Sequence, residues 1–117
     1  GAKAILRALK RGDNLALLVD QKMNDGVAVP FLGRDAMTAS AVAELALRYD
    51  CPVVPARVER LKGAHFRVTF YPPLDRPETG NQQQDILVMM TEINRQLGEW
   101  IKEQPAQWLW VHNRWPD

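Results

Sequence analysis

Asp20-Gln21 is the first pair in the chain whose types and position suit chemistry. It closes the apolar run Leu15-Ala16-Leu17-Leu18-Val19, which reads as a buried strand. In α/β sheets, ligands collect at the carboxyl ends of such strands. A carboxylate beside an amide at that place either orients a polar head group or caps its own backbone. Arg34 follows Gly33 further on, and its planar guanidinium either binds a phosphate or stays solvated at the surface. Thr38 is expected to cap a helix, and its hydroxyl with the first helical amides makes a potential anion site, although most helix starts bind none. Arg57 shares a strand face with Glu59; the two either pair at the surface or line a polar groove.

Other reactive types carry less. His112 stands five residues before Asp117 and so spells a His-x-x-x-x-acid pair, in which an imidazole acts as general base and a carboxylate orients it. The pair spans Pro116 and ends on the last residue, so it reads as coincidence. His65 falls on the wet side of an alternating strand and reads as a surface histidine. Cys51, between a helix and Pro52, reads as a structural thiol. There is no zinc spacing, no glycine-rich phosphate loop and no Gly-x-Ser-x-Gly turn. The residues by themselves assign no catalytic group, no metal site and no cofactor.

These candidates need elements to hold them. Residues 3–11 read as the end of a helix capped by Gly12. Strands are expected over 15–19, 53–59 and 65–71. The connection from Asp20 to Thr38 has no sustained period and reads as a long ordered loop, functional because Val27–Leu32 is too apolar for a linker. A helix runs from Thr38 to about Tyr49 and stops before Pro52. A long amphipathic helix spans about 83–103, with Ile86, Met90, Ile93, Leu97, Trp100 and Ile101 on one face. The order predicts an α/β fold: a mixed sheet with a βαβ crossover from strand 15–19 to strand 53–59, an antiparallel partner at 65–71, and flanking helices. In strand 65–71, Phe66, Val68 and Phe70 alternate with a wet face of His65, Arg67 and Thr69. Of the tryptophans, Trp100 joins the helix stripe, Trp108 and Trp110 read as docking residues, and Trp115 is left without a role.

Length and composition bound the result. The 117 residues suffice for one domain, and 46% apolar with 25% charged residues is a globular composition. Fifteen Lys+Arg against 14 Asp+Glu give a net charge of +1, so no basic field points to nucleic acid. One cysteine excludes an internal disulfide framework. The longest apolar run falls far short of the roughly 20 residues a membrane helix needs. The chain opens on Gly1-Ala2-Lys3 with no initiator Met, directly in a helical pattern, and reads as a piece of something longer.

Four blocks in order carry a resemblance. They are Leu17-Leu18-Val19-Asp20-Gln21; Val29-Pro30-Phe31-Leu32-Gly33-Arg34-Asp35-Ala36-Met37-Thr38; Ala43-Glu44-Leu45-Ala46 followed by Pro52-Val53-Val54-Pro55; and the closing Gln104-Pro105-Ala106-Gln107-Trp108-Leu109-Trp110-Val111-His112-Asn113-Arg114-Trp115. Together they resemble the lipid A biosynthesis lauroyl/myristoyl acyltransferases, over nearly the whole chain. Ala106 departs from the acid usual after the proline, and Trp115 from the usual Phe.

The resemblance implies an acyltransferase that moves a fatty acyl chain from acyl carrier protein to a hydroxyl of a lipid A precursor in lipopolysaccharide biosynthesis. The place implied is the cytoplasmic face of the inner membrane of a Gram-negative bacterium. It further implies that residues 1–117 are the C-terminal part of the fold, inactive alone, with the His-x-x-x-x-acid dyad and a membrane-spanning helix upstream. Asp20 and Gln21 fall where related glycerolipid acyltransferases bind the acceptor, with Arg34 and Thr38 on the rim. The substrate-binding set expected is therefore Asp20, Gln21, Arg34, Thr38 and Arg57. The competing reading is a non-enzymatic module that binds lipid or a membrane surface through the apolar loop and the tryptophan-rich tail.

Overall fold

The computed structural model describes residues 1–116. Its elements run α1 (Ala2–Lys10), β1 (Lys22–Phe31), β2 (Arg34–Thr38), α2 (Ala41–Tyr49), β3 (Ala56–Arg60), β4 (Phe66–Phe70) and α3 (Gln82–Glu103), followed by a short 3-10 turn at Pro105–Gln107. The architecture is mixed α/β, with two separate antiparallel hairpins, β1–β2 and β3–β4, and three α-helices.

The longest helix is where its apolar period places it. Asn81 caps α3, its side chain accepting from the Gln84 amide, and Asp85 accepts from the Thr79 hydroxyl and amide just upstream. Ile86, Met90, Ile93 and Ile101 are buried along one face. Pro105 prevents further extension. Ser40 rather than Thr38 stands at the N-cap of α2. At the other end of α2, Asp50 takes a left-handed conformation, and Arg76 closes the helix by donating to the Ala46 and Leu47 carbonyls and pairing with Asp50 at 2.7 Å.

The connection expected as a loop over 20–38 is a hairpin. Phe31 pairs with Arg34, which leaves Leu32-Gly33 as a two-residue turn with φ of +50° and +84°. Both angles are positive, as the favoured hairpin turn requires. The signal was hidden because Leu stands where Asn or Gly is usual, and Pro30 interrupts the strand pattern. Gly98 of α3 makes room for that leucine: a Cβ there would lie 3.2 Å from Leu32 Cδ2. Lower in β1 the register slips between Lys22 and Val27, and a Cβ on Gly26 would lie 2.2 Å from the Thr38 carbonyl oxygen. Only glycine allows that approach.

The βαβ crossover does not form. Among the described residues, 15–19 belong to neither sheet and β3 pairs only with β4. An unbroken apolar run signals burial but supplies no partner for its own N–H and C=O groups, and a strand exists only where a neighbour satisfies them. The run is instead an irregular segment, with Leu18 82% exposed. The hairpin expected from the two later strands is present, in the register Ala56↔Phe70 to Arg60↔Phe66.

Two apolar clusters hold the molecule. Val29, Ala43, Ala46, Ile86, Met89, Met90 and Ile93 join β1, α2 and α3. Phe31, Ala36 and Ile101 form the second, with Leu32, Leu97, Trp108 and Trp115 packed against it. Among the described residues no helix is long and apolar enough to cross a membrane.

Candidate functional site

Residues 12–20, the segment 50–59 and the C-terminal half of α3 enclose a groove of about 970 Å³. Leu15, Leu17, Leu18, Leu45, Leu97 and Trp100 give it a mostly apolar wall. Asp20 and Arg57 contribute the charges expected to act on a substrate. An apolar trough with a few polar groups is the usual form of a ligand site.

Arg57 is positioned by an inward-facing polar network. Its guanidinium pairs with Glu103 at 2.6 Å and Glu59 at 3.8 Å, and lies 5.8 Å from the centre of the Trp100 ring. Its side chain is 10% exposed. Burial works against its charge, but the hydrogen bonds with Glu103 and Tyr71 and the charges of Glu59 and Glu103 outweigh it and hold its pKa above the ordinary arginine value. Gln104 donates to Glu59 at 3.1 Å and ties the network to the end of α3. The surface pair expected of Arg57 and Glu59 is thus turned toward the protein.

Asp20 is half-buried at the junction of the irregular segment and β1, and Gln21 beside it is exposed. The Gln21 carbonyl accepts from Arg114 Nη1 at 2.9 Å. Arg34 and Thr38 lie outside the groove lining. Arg34 is exposed beside the β1–β2 turn and donates to the Pro116 carbonyl at 2.9 Å. Thr38 ends β2 fully buried; its hydroxyl donates to the Ala36 carbonyl at 2.9 Å and accepts from Asn94 Nδ2 at 3.2 Å. The structure therefore brings Asp20 and Arg57 to one groove, keeps Gln21 adjacent, and leaves Arg34 and Thr38 on the β1–β2 hairpin outside the groove lining.

Sequence reasoning gave no role to the residue that organises this corner. Arg114 is 1% exposed. Nη1 donates to both the Gln21 and Met37 carbonyls at 2.9 Å, and the guanidinium stacks 4.9 Å from the centre of the Phe31 ring. Its Nε and Nη2 are buried and unpaired. In Arg95 the same edge grips Glu92 through both atoms. Burial lowers the Arg114 pKa, and the Asp20 charge works the other way. The available signal was its place in the closing His-x-Arg-aromatic block.

The tail also departs from expectation. Trp108 and Trp115 are the docking residues: both rings contact Phe31, and Trp115 Nε1 donates to its carbonyl at 3.0 Å. Trp110 is 53% exposed. The chain places Trp115 two-sided against a buried ring and a buried carbonyl, which its position after Arg114 does not reveal. His112 and His65 are exposed, and Asp117 lies outside the described residues. Cys51 is half-buried in the groove wall. Among the described residues no three His, Cys, Asp or Glu side chains could hold a metal.

Small hairpins on a long helix beside a mostly apolar groove define a mixed α/β protein. The chain belongs to the bacterial lipid A biosynthesis acyltransferases, whose family model matches residues 1–117. Comparison with curated proteins gives no match.

Proposed function

We propose that residues 1–117 form the C-terminal, acceptor-binding part of an enzyme that transfers a fatty acyl chain from acyl carrier protein to a hydroxyl of a lipid A precursor. The reaction takes place at the cytoplasmic face of the inner membrane of a Gram-negative bacterium. The family match over the whole chain is the observation that carries this reading. The groove supports it: its apolar wall suits a hydrocarbon chain, while Asp20 and Arg57 offer charges for a polar head group. Asp20 and Gln21 bind the acceptor, Arg57 steers its charged groups, and Arg34 and Thr38 stabilise the hairpin behind them.

The general base is assigned to the upstream His-x-x-x-x-acid pair that the family resemblance implies. The chain has two histidines, and neither lines the groove. A base must lie within hydrogen-bond reach of the hydroxyl proton it removes. Acyl transfer from radiolabelled acyl carrier protein to a purified lipid A precursor tests the reading. The 117 residues alone give no product. Joined to a segment that carries a His-x-x-x-x-acid pair, they give acylated lipid, and Asp20→Ala lowers that rate with Asp20→Asn retaining part of it. Transfer by the 117 residues alone would overturn the assignment of the base.

A further inference from the structure

The backbone that carries Asp20 and Gln21 is held by little of its own. From residue 14 to residue 20 it makes no backbone–backbone hydrogen bond among the described residues. The β1–β2 ladder starts at Lys22↔Thr38, and its register slips between there and Val27, so the regular part of the hairpin does not reach Gln21. A segment with so few backbone bonds opens easily unless a group from elsewhere in the chain ties it down.

Arg114 is that group. Its Nη1 donates to the Gln21 carbonyl and to the Met37 carbonyl, each at 2.9 Å, so one nitrogen bridges Gln21 to the end of β2. The arginine is itself locked. It is 1% exposed, and its guanidinium lies 4.9 Å from the centre of the Phe31 ring. The next residue, Trp115, stacks on that ring and donates to the Phe31 carbonyl at 3.0 Å. A side chain fixed by packing is what holds a site residue in one geometry. The carboxylate charge that acts on the guanidinium is that of Asp20, yet the two form no ion pair among the described residues. Asp20 stays in the groove lining, and Arg114 is outside it. An apolar side chain of similar volume would fill this place with less desolvation penalty. What the guanidinium adds is the bridge.

We propose that Arg114 is a positioning residue for the acyl acceptor: it acts as a point donor that fixes Asp20 and Gln21 beside the groove, and does not touch the acceptor itself. The role toward the acceptor rests on the acyl-transfer reading; the fixing of residues 20 and 21 does not. Because Nη1 makes both bonds and Nε and Nη2 have no partner, the fork of the guanidinium is not used. A lysine ammonium, with three donors on one nitrogen, therefore restores most of the bridge. Methionine fills the volume and leaves both carbonyls without this donor.

The first readout is backbone order, by amide relaxation NMR on the 117-residue chain. Arg114→Met lowers the order parameters of the Asp20 and Gln21 amides from the rigid range of about 0.85 to below about 0.6. Ile86, Met90 and Ile93 of α3 keep theirs, which shows the fold intact. Arg114→Lys leaves residues 20 and 21 rigid. The second readout is acyl transfer by the complete enzyme. Arg114→Met raises the KM for the lipid A precursor about tenfold and leaves the KM for the acyl carrier protein unchanged, and Arg114→Lys comes within about threefold of the parent. A purely structural loss moves both KM values together. Residues 20 and 21 equally ordered with arginine and methionine would overturn the proposal. If methionine unfolds the chain, the lysine variant decides: residues 20 and 21 loose in a folded lysine variant would overturn the point-donor bridge. A lipid KM that Asp20→Ala raises and Arg114→Met does not would also sink the positioning role. With residues 20 and 21 loosened by Arg114→Met and the lipid KM unmoved by Asp20→Ala, the fixing stands and only the acceptor reading fails.

Discussion

The two hairpins use similar residues and treat them oppositely. In β1–β2, Val29, Phe31 and Ala36 are turned inward, and α3 with the closing segment covers them. In β3–β4, the polar side is turned inward and Phe66, Val68 and Phe70 face outward. The difference lies in what each hairpin meets. The first meets Ile101, Trp108 and Trp115, an apolar bed. The second meets Glu103 and Gln104, a polar one that selects Arg57 and Glu59. Alternation states that a strand has two unlike faces, and the neighbouring element decides which one is buried.

Mutations can break this contrast, and the largest effect belongs to the sealed hairpin. Phe31→Ala removes a buried ring from between two tryptophans and costs about 3–5 kcal/mol, whereas Phe70→Ala stays within about 0.5 kcal/mol. Urea denaturation reads both, and equal losses would refute the difference between the faces. Arg114→Ala leaves the Gln21 and Met37 carbonyls without their donor and costs about 2–4 kcal/mol. Arg114→Met costs less, because it keeps the volume and removes a buried charge whose Nε and Nη2 are unpaired. A methionine variant as unstable as the alanine one would mean that the two hydrogen bonds dominate over packing and desolvation.

A smaller effect tests the register of β1. Gly26→Ala forces a Cβ against a backbone oxygen that cannot swing aside, and lowers the unfolding free energy by about 1–3 kcal/mol, read as a lower urea midpoint. Gly98→Ala meets only the flexible end of Leu32, so its midpoint changes less. The smallest effect is electrostatic. Hydrogen bonding from Arg95 holds the Glu92 carboxyl near a pKa of about 2, below the usual 4.5. A depressed folded-state pKa gives stability above the unfolded pKa that is lost as pH falls from about 4.5 toward 2. The pair is solvent-exposed, so the loss stays under about 1 kcal/mol after screening. Glu92→Gln flattens that part of the acid limb in a pH series of urea melts and leaves neutral pH nearly unchanged.

Several elements were legible in the sequence because their signals are local. The 3.6-residue period places α3, Pro52 and Pro105 limit their helices, and the turn at Lys62-Gly63 joins two alternating runs. The β1–β2 hairpin was not legible, since Leu32 in a positive-φ turn needs the space left by Gly98 on a helix more than sixty positions away. Of the candidate site, Asp20 and Arg57 line one groove. Thr38 does not, because β2 continues through it and the helix begins after Ser40.

By itself, then, the sequence determined the helices, the pairing of residues 56–60 with 66–70, the family through its four ordered blocks, and which side chains are apolar. Each depends on neighbours along the chain or on an ordered pattern. Only the tertiary structure decided that residues 15–19 stay unpaired, that Arg114 rather than Arg34 is the buried guanidinium, and that the later hairpin turns its apolar face outward. Those outcomes depend on which surfaces meet: a backbone needs a partner for its hydrogen bonds, a buried charge needs acceptors, and a two-faced strand takes the side that its neighbour offers.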